Sequence, residues 1–209
     1  MDPIQALAEY FSKFPGIGPR QAKRFVYFLL RENGEFSGRL ADAIRELKNI
    51  ISQCHLCFRF FKKGAIETGK EALCEICRDT SRDASTLLVV EKDADFENVK
   101  KGRSYGGLYF ILGGSLPILE KNPSEKIRAR ELFDRVQNAA KAENLKEVIL
   151  AMNATAEGEN TALYISKILE PLVEKYNFKL STLGRGLSTG TELEYSDAET
   201  FKQALENRK

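Results

Sequence analysis

Four cysteines, Cys54, Cys57, Cys74 and Cys77, are the only thiols in this chain of 209 residues, and they stand as two Cys-x-x-Cys pairs with 16 residues between them. Each pair is spaced to form a tight knuckle that aims two thiolates at one ion, and two knuckles complete a tetrahedron. The pattern predicts a module over residues 54–77 that folds around one structural Zn2+. Two redox disulfides or four unrelated buried thiols are the alternatives. Four sulfurs close the coordination shell and leave no position for water or substrate. The metal is therefore expected to stabilise a segment too short to build its own core. His55, the only histidine, is read as a bystander.

Hydrophobic residues make up 43% of the chain and charged residues 30%, values that predict a folded protein. The longest apolar runs, 85–90 and 148–152, are too short to span a bilayer. The start, Met1-Asp2-Pro3-Ile4-Gln5-Ala6, lacks the basic then apolar layout of a signal peptide. A cytoplasmic, nucleoid-associated location with no membrane partner is expected, where thiols stay reduced. The net charge of +2 is unevenly spread: residues 1–82 carry 14 Lys/Arg against 10 Asp/Glu, and residues 83–209 carry 18 against 20. The basic part is compatible with phosphate contact but does not by itself decide it.

Apolar spacing predicts helices on either side of Phe14-Pro15-Gly16-Ile17-Gly18-Pro19, and a third over about 37–51. Beyond Arg82 the rhythm changes to short apolar strands (87–90, 108–112, 148–152, 178–182) alternating with helices (93–101, 124–143, 160–176). That alternation predicts a mostly parallel sheet covered on both faces, followed by a last helix over 197–207. The fold class is thus α+β and multi-modular.

The turn at 14–19 resembles a helix-hairpin-helix motif. Gly16 and Gly18 flank Ile17 and leave the backbone uncovered, so amides at the start of the second helix can meet a phosphate oxygen. Arg20, Lys23 and Arg24 add positive charge to the same end. These six residues are the candidate DNA-binding set, with contacts independent of base sequence. An αα-hairpin with a solvated basic face is the alternative.

The α/β part ends its first strand at Glu91 and its third in Met152-Asn153-Ala154-Thr155-Ala156-Glu157-Gly158. This resembles the Toprim fold, in which a Glu after the first strand and an Asp-x-Asp after the third gather Mg2+ for phosphoryl chemistry. Glu91 matches the Glu, but Asn153 and Thr155 stand at the two Asp positions, followed by Glu157. An amide and a hydroxyl in place of two carboxylates weaken a hard-cation site. A catalytic role is therefore the weaker expectation, and a Mg-dependent nuclease or primase-like enzyme is kept as the alternative. Glu91 and Glu157 are otherwise surface carboxylates at strand ends, and Glu91, Asn153 and Glu157 are held open as a partner-binding set. Asp93, Asp95 and Glu159 read as helix-start acids.

The order of these parts, with the segment 148–159 and the tail Arg185-Gly186-Leu187-Ser188-Thr189-Gly190-Thr191-Glu192-Leu193-Glu194-Tyr195, resembles the RecR family over essentially the whole chain. Three departures stand out: the longer spacer between cysteine pairs, Gly113-Gly114-Ser115-Leu116-Pro117-Ile118-Leu119 after the second strand, and Ser188-Thr189-Gly190-Thr191 in the tail. The resemblance implies four parts: a DNA-binding helix-hairpin-helix domain (1–53), a C4 zinc finger (54–77), a Toprim-like domain (83–180) and a tail (181–209) involved in assembly. It implies a non-enzymatic recombination mediator of DNA repair. Such a protein acts with RecO or RecF-like partners to help load RecA on gapped or single-stranded DNA. It also implies self-association into a dimer or tetramer ring that can encircle DNA, single- or double-stranded, and a zinc neck that stiffens the hairpin's attachment.

Overall fold

A computed structural model describes residues 2–64, 72–120, 122–187, 190 and 192–208. The middle of the inter-cysteine loop (65–71) and Ser188, Thr189 and Thr191 of the tail lie outside them. Contacts divide the chain into two compact units, Met1–Ser52 and Gln53–Lys209.

The first unit holds three helices, α1 (Pro3–Phe11), α2 (Pro19–Arg31) and α3 (Gly34–Ile50). Their starts follow local chemistry. The Asp2 carboxylate accepts from the Ile4 amide at the head of α1, and Pro3 and Pro19 occupy early helical positions where no amide partner is needed. Asn33 caps α3 by accepting from the Phe36 amide at 2.9 Å. That cap sets the start at Gly34, ahead of the expected residue 37, because apolar spacing does not register a polar first turn. The core is small: Ala8, Ala22 and Val26 are buried, with Ile4, Phe11 and Ile17 packed on them.

Along the chain β1 (Ile51–Gln53) crosses the boundary between the units; in the second unit β2 (Phe60–Lys62) follows the first cysteine pair, and α4 (Glu75–Arg78) carries the end of the second. There follow β3 (Asp83–Val90), α5 (Asp93–Gly102), β4 (Gly107–Ile111), α6 (Pro123–Lys126), α7 (Ala129–Lys141), β5 (Glu147–Ala151), α8 (Ala156–Tyr176), β6 (Lys179–Thr182) and α9 (Ala198–Glu206). The four long-range strands form one sheet in the order β4-β3-β5-β6, and every pair is parallel.

Alternation along the strands divides the core in two. Leu87, Val89, Phe110, Val148 and Leu150 face Leu132 and Val136 of α7 and Ile165, Leu169 and Leu172 of α8. Leu88, Val90, Tyr109 and Ile111 face Phe96 of α5 together with Cys54, Cys57, Phe61, Cys74 and Ile76. The second face of the sheet is thus closed in large part by the cysteine module, which shares a core with the α/β body.

Two helices depart from the expected bounds. The single helix expected over 124–143 is broken, because Ile127 is extended and buries its side chain while the Arg128 amide bonds Leu112 O at 2.9 Å. The helix expected from Asn160 starts at Ala156, where Thr155 Oγ1 accepts from the Gly158 amide at 3.1 Å. Asp197 caps α9 in the same way through the Thr200 amide, and Asn207 returns to Arg185 O at 3.0 Å.

Thr161, fully buried in α8, accepts from the Leu116 amide at 2.8 Å and donates to Glu157 O at 2.7 Å. Thr161→Val keeps the shape but strands a buried amide, and urea unfolding is expected to show a loss of about 1–3 kcal/mol.

Candidate nucleic-acid interface and metal centre

The chain leaves α1 through Ser12, turns on hydrogen bonds from Phe14 N to Phe11 O and Ile17 N to Phe14 O, and enters α2 at Pro19. Gly16 takes φ +76°, a left-handed conformation that favours glycine. Gly18 differs. Its φ of −83° suits any residue, and a Cβ built there meets nothing within 4 Å. Neither backbone strain nor packing among the described residues requires a glycine at 18, and the lack of a Cβ there leaves the backbone at the head of α2 open.

What it uncovers is a group of donors. The amides of Gly18, Arg20 and Gln21 have no acceptor among the described residues, and the first partnered amide of α2 is that of Ala22, on Gly18 O. Arg20, Lys23 and Arg24 are exposed on the same helix and make no ion pair with a described residue; Arg24 touches only Gln21 Oε1 at 3.2 Å. Ile17 turns inward to Ala8, Ala22 and Val26 and anchors the turn. Free amides, a helix N-terminus and unpaired cations in one place make a surface suited to an anionic oxygen. Lys13, stacked over the Tyr10 ring at 5.5 Å, is a further cation of this unit that the motif did not single out.

The cysteine module brings its four predicted ligands together. All four are free thiols, their sulfurs lie within 4.8 Å of one another, and Cys54, Cys57 and Cys74 are buried. A tetrahedral ion with metal–sulfur bonds of about 2.3 Å spaces its sulfurs about 3.8 Å apart, so the cluster fits one ion. Neither two disulfides nor four unrelated thiols describe this arrangement. The first knuckle is held by Cys54 N to Arg59 O and Phe58 N to Cys54 O, both 2.9 Å, with Phe58 left-handed at φ +63°. In the second, Cys74 precedes α4 and its carbonyl accepts from Arg78 N.

Contacts among the four sulfurs dominate their titration: Cys54 and Cys74 are lowered while Cys57 and Cys77 are raised. The split follows from sharing protons at close range: the contact between Cys54 and Cys57 lowers the first and raises the second. A divalent cation placed among them would favour the thiolate form of all four. His55 is outside the cluster and hydrogen bonds through its amide to Ala72 O.

Glu91 directly follows β3 and Asn153 lies two residues past β5, adjacent strands that flank the point where the sheet order reverses. Glu91 is not the surface carboxylate expected of a strand end: it is only 1% exposed. One oxygen accepts from the Asn153 amide at 2.8 Å and the other from Asn153 Nδ2 at 2.6 Å. Gly158 lies against this clasp, since a Cβ there would fall 2.1 Å from Asn153 O and 2.9 Å from Glu91 Oε1. Glu157 stays exposed and accepts from Ser115 Oγ at 3.3 Å. Asp93, Asp95, Glu157 and Glu159 all fall in first helical turns, and Asp95 accepts from the Lys92 amide.

A family model described as "RecR, helix-hairpin-helix" matches residues 4–48, and one described as "Toprim domain" matches 85–183. The chain is 38% identical over 205 residues to Recombination protein RecR of Dehalococcoides mccartyi, covering 98% of this chain and 93% of that protein. It is 39% identical to Recombination protein RecR of Chloroherpeton thalassium, covering 98% and 95%. The chain belongs to the RecR family. The Recombination protein RecR of Myxococcus xanthus matches all of this chain and 98% of its own length at 36% identity.

For a RecR-family chain, the sequence spacing locates the hairpin and the cysteines but not the Glu91–Asn153 clasp. The only signal of that clasp is the loss of both Asp residues from the Toprim pattern, which leaves Glu91 in need of a donor.

Two outcomes follow from these sites. Cys74→Ala is expected to lower bound metal per chain and the melting temperature together, checked by elemental analysis and calorimetry. Asn153→Asp replaces the side-chain donor to Glu91 with a second carboxylate, and denaturant titration is expected to show a loss on the order of 2–3 kcal/mol.

Proposed function

We propose that this chain is a DNA-binding recombination mediator of DNA repair that catalyses no reaction, and that its four cysteines hold a structural Zn2+. The observation that carries the DNA reading is the open amide cluster of the hairpin, Gly18, Arg20 and Gln21, beside the unpaired Arg20, Lys23 and Arg24. Such groups bind phosphates, so they suit single-stranded, double-stranded and gapped DNA alike. The name recombination protein, borne by relatives that align over nearly their full lengths, supports the same role. The resemblance adds RecO or RecF-like partners, RecA loading, and a cytoplasmic, nucleoid-associated place of work. Zinc follows from the donor set: four thiolates in a closed tetrahedral cluster select Zn2+ over harder ions and leave it no catalytic position.

The non-catalytic reading rests on the clasp. Both oxygens of Glu91 are engaged, Asn153 is a neutral donor, and the Thr155 hydroxyl caps α8. Of the Glu91, Asn153 and Glu157 set, only Glu157 offers an exposed carboxylate, too little to hold Mg2+ for phosphoryl transfer.

Self-association has support of its own. No residue of α3 is buried, Leu40, Ile44 and Leu47 are exposed, and an apolar groove of about 620 Å3 runs among α1, α2 and α3. A dimer or tetramer ring would multiply weak phosphate contacts from each hairpin. In this reading residues 1–53 bind DNA, 54–77 hold zinc, 83–180 bind partners and 181–209 serve assembly, α9 having no buried residue.

A gel-shift salt titration tests the DNA site. Changing Lys23 and Arg24 to Glu is expected to weaken binding and flatten the log–log salt slope by about 2, and an unchanged slope would locate the site elsewhere. Incubating labelled DNA with Mg2+ or Mn2+ tests catalysis: no nicking or synthesis is expected. Activity abolished by Glu91→Gln would instead establish a Toprim enzyme.

A further inference from the structure

We infer that Arg59 is the buried counter-cation of the four-cysteine metal centre, a positioning residue that offsets the surplus charge of a metal tetrathiolate. The inference rests on the zinc reading above. Four thiolates around one divalent ion leave a net charge of about −2. Cys54, Cys57 and Cys74 are fully buried, and a buried charge is costly unless an opposite charge accompanies it.

Arg59 is placed to supply that charge. It follows Cys57 by two residues, and its backbone already serves the centre, with its carbonyl accepting from Cys54 N at 2.9 Å. The residue is only 6% exposed, and the guanidinium lies over the Phe96 ring at 4.7 Å. Nη1 bonds Glu75, the residue after Cys74, and Nη2 stands 3.9 Å from Glu97. The buried Nε has no acceptor among the described residues.

The two carboxylates that pair with this cation are themselves open to water. Glu75 and Glu97 are 60% and 62% exposed, so water screens them, and Glu75 is shared with Lys100 at 3.4 Å. Glu75, hydrogen-bonded to the guanidinium, is the strongest of its anionic partners, and the buried Cys74 and Cys57 add a weaker attraction. Arginine suits the place because it stays charged and stacks flat on an aromatic ring. A counter-cation beside the sulfurs acts as outer-shell partners of metals do, steadying the ligands without touching the ion.

The test measures zinc transfer from the full-length, reduced protein to a colorimetric chelator, with the melting temperature in excess Zn2+ recorded alongside. Arg59→Met keeps most of the stem volume and removes the charge; it is expected to weaken zinc retention about 10- to 100-fold. Arg59→Lys keeps the charge and is expected to lose less. Glu75→Gln combined with Glu97→Gln removes the exposed partners and is expected to hold zinc at least as tightly as the native chain. Three results would overturn the inference: native-like retention in Arg59→Met, equal losses in the Met and Lys variants, or a Glu75→Gln/Glu97→Gln loss matching Arg59→Met. Should Arg59→Met not fold, the Lys and double-Gln variants still decide, because an ion-pair role predicts zinc loss from the double-Gln protein and a counter-cation role predicts none. A native chain that holds no zinc would refute the metal reading itself, a distinct result.

Discussion

A parallel sheet carries apolar side chains on both faces, and neither face is stable in water. Everything in the larger unit depends on closing the two faces of β4-β3-β5-β6. Helices α7 and α8 close one, burying Leu132, Val136, Ile165 and Leu169. On the other, α5 contributes Phe96, and the remaining cover comes from Cys54, Cys57, Phe61, Cys74 and Ile76. The cysteine cluster is therefore a piece of the sheet's core. A metal that draws four cysteines together also completes a hydrophobic layer over Leu88, Val90, Tyr109 and Ile111. The Ile111 amide, bonded to Cys57 O at 3.0 Å, joins the first knuckle to the end of β4.

That coupling explains why the charge around the cluster matters. A solvated zinc knuckle can leave its surplus negative charge to water. A knuckle that serves as core cannot, and the one buried guanidinium among the described residues stands beside it. The same restriction governs Glu91. In an open α/β sheet the strand ends at the order reversal are where ligands bind. Here that place is occupied from within, by a carboxylate that takes both its donors from Asn153 and by Gly158, whose lack of a Cβ lets the start of α8 approach. A position that would serve a cation with carboxylates at 153 and 155 serves the fold instead.

The hairpin follows the opposite logic. It presents donors that nothing in its own unit satisfies, and Gly18 keeps them uncovered although its φ of −83° makes no demand for glycine. Exposed amides at a helix start cost little while water reaches them, and they become strong contacts when an anion replaces that water.

Much of this was legible in the residue order. The cysteine spacing, the Pro-Gly-Ile-Gly turn and the alternation of short apolar runs with helical spacing each report a local constraint, and local constraints survive without knowledge of distant neighbours. Element ends were less legible wherever a cap or a distant bond decided them, as at Asn33, Thr155 and the Arg128–Leu112 bond. By itself the sequence determined the ligand set, the open hairpin turn and the loss of the Toprim carboxylates. Only the tertiary structure decided that Glu91 is buried, that Asn153 holds it, that Arg59 is buried against Phe96 and that the module closes the sheet. Those facts join residues far apart in sequence, 62 positions for Glu91 and Asn153, and burial exists only once the sheet has brought them together.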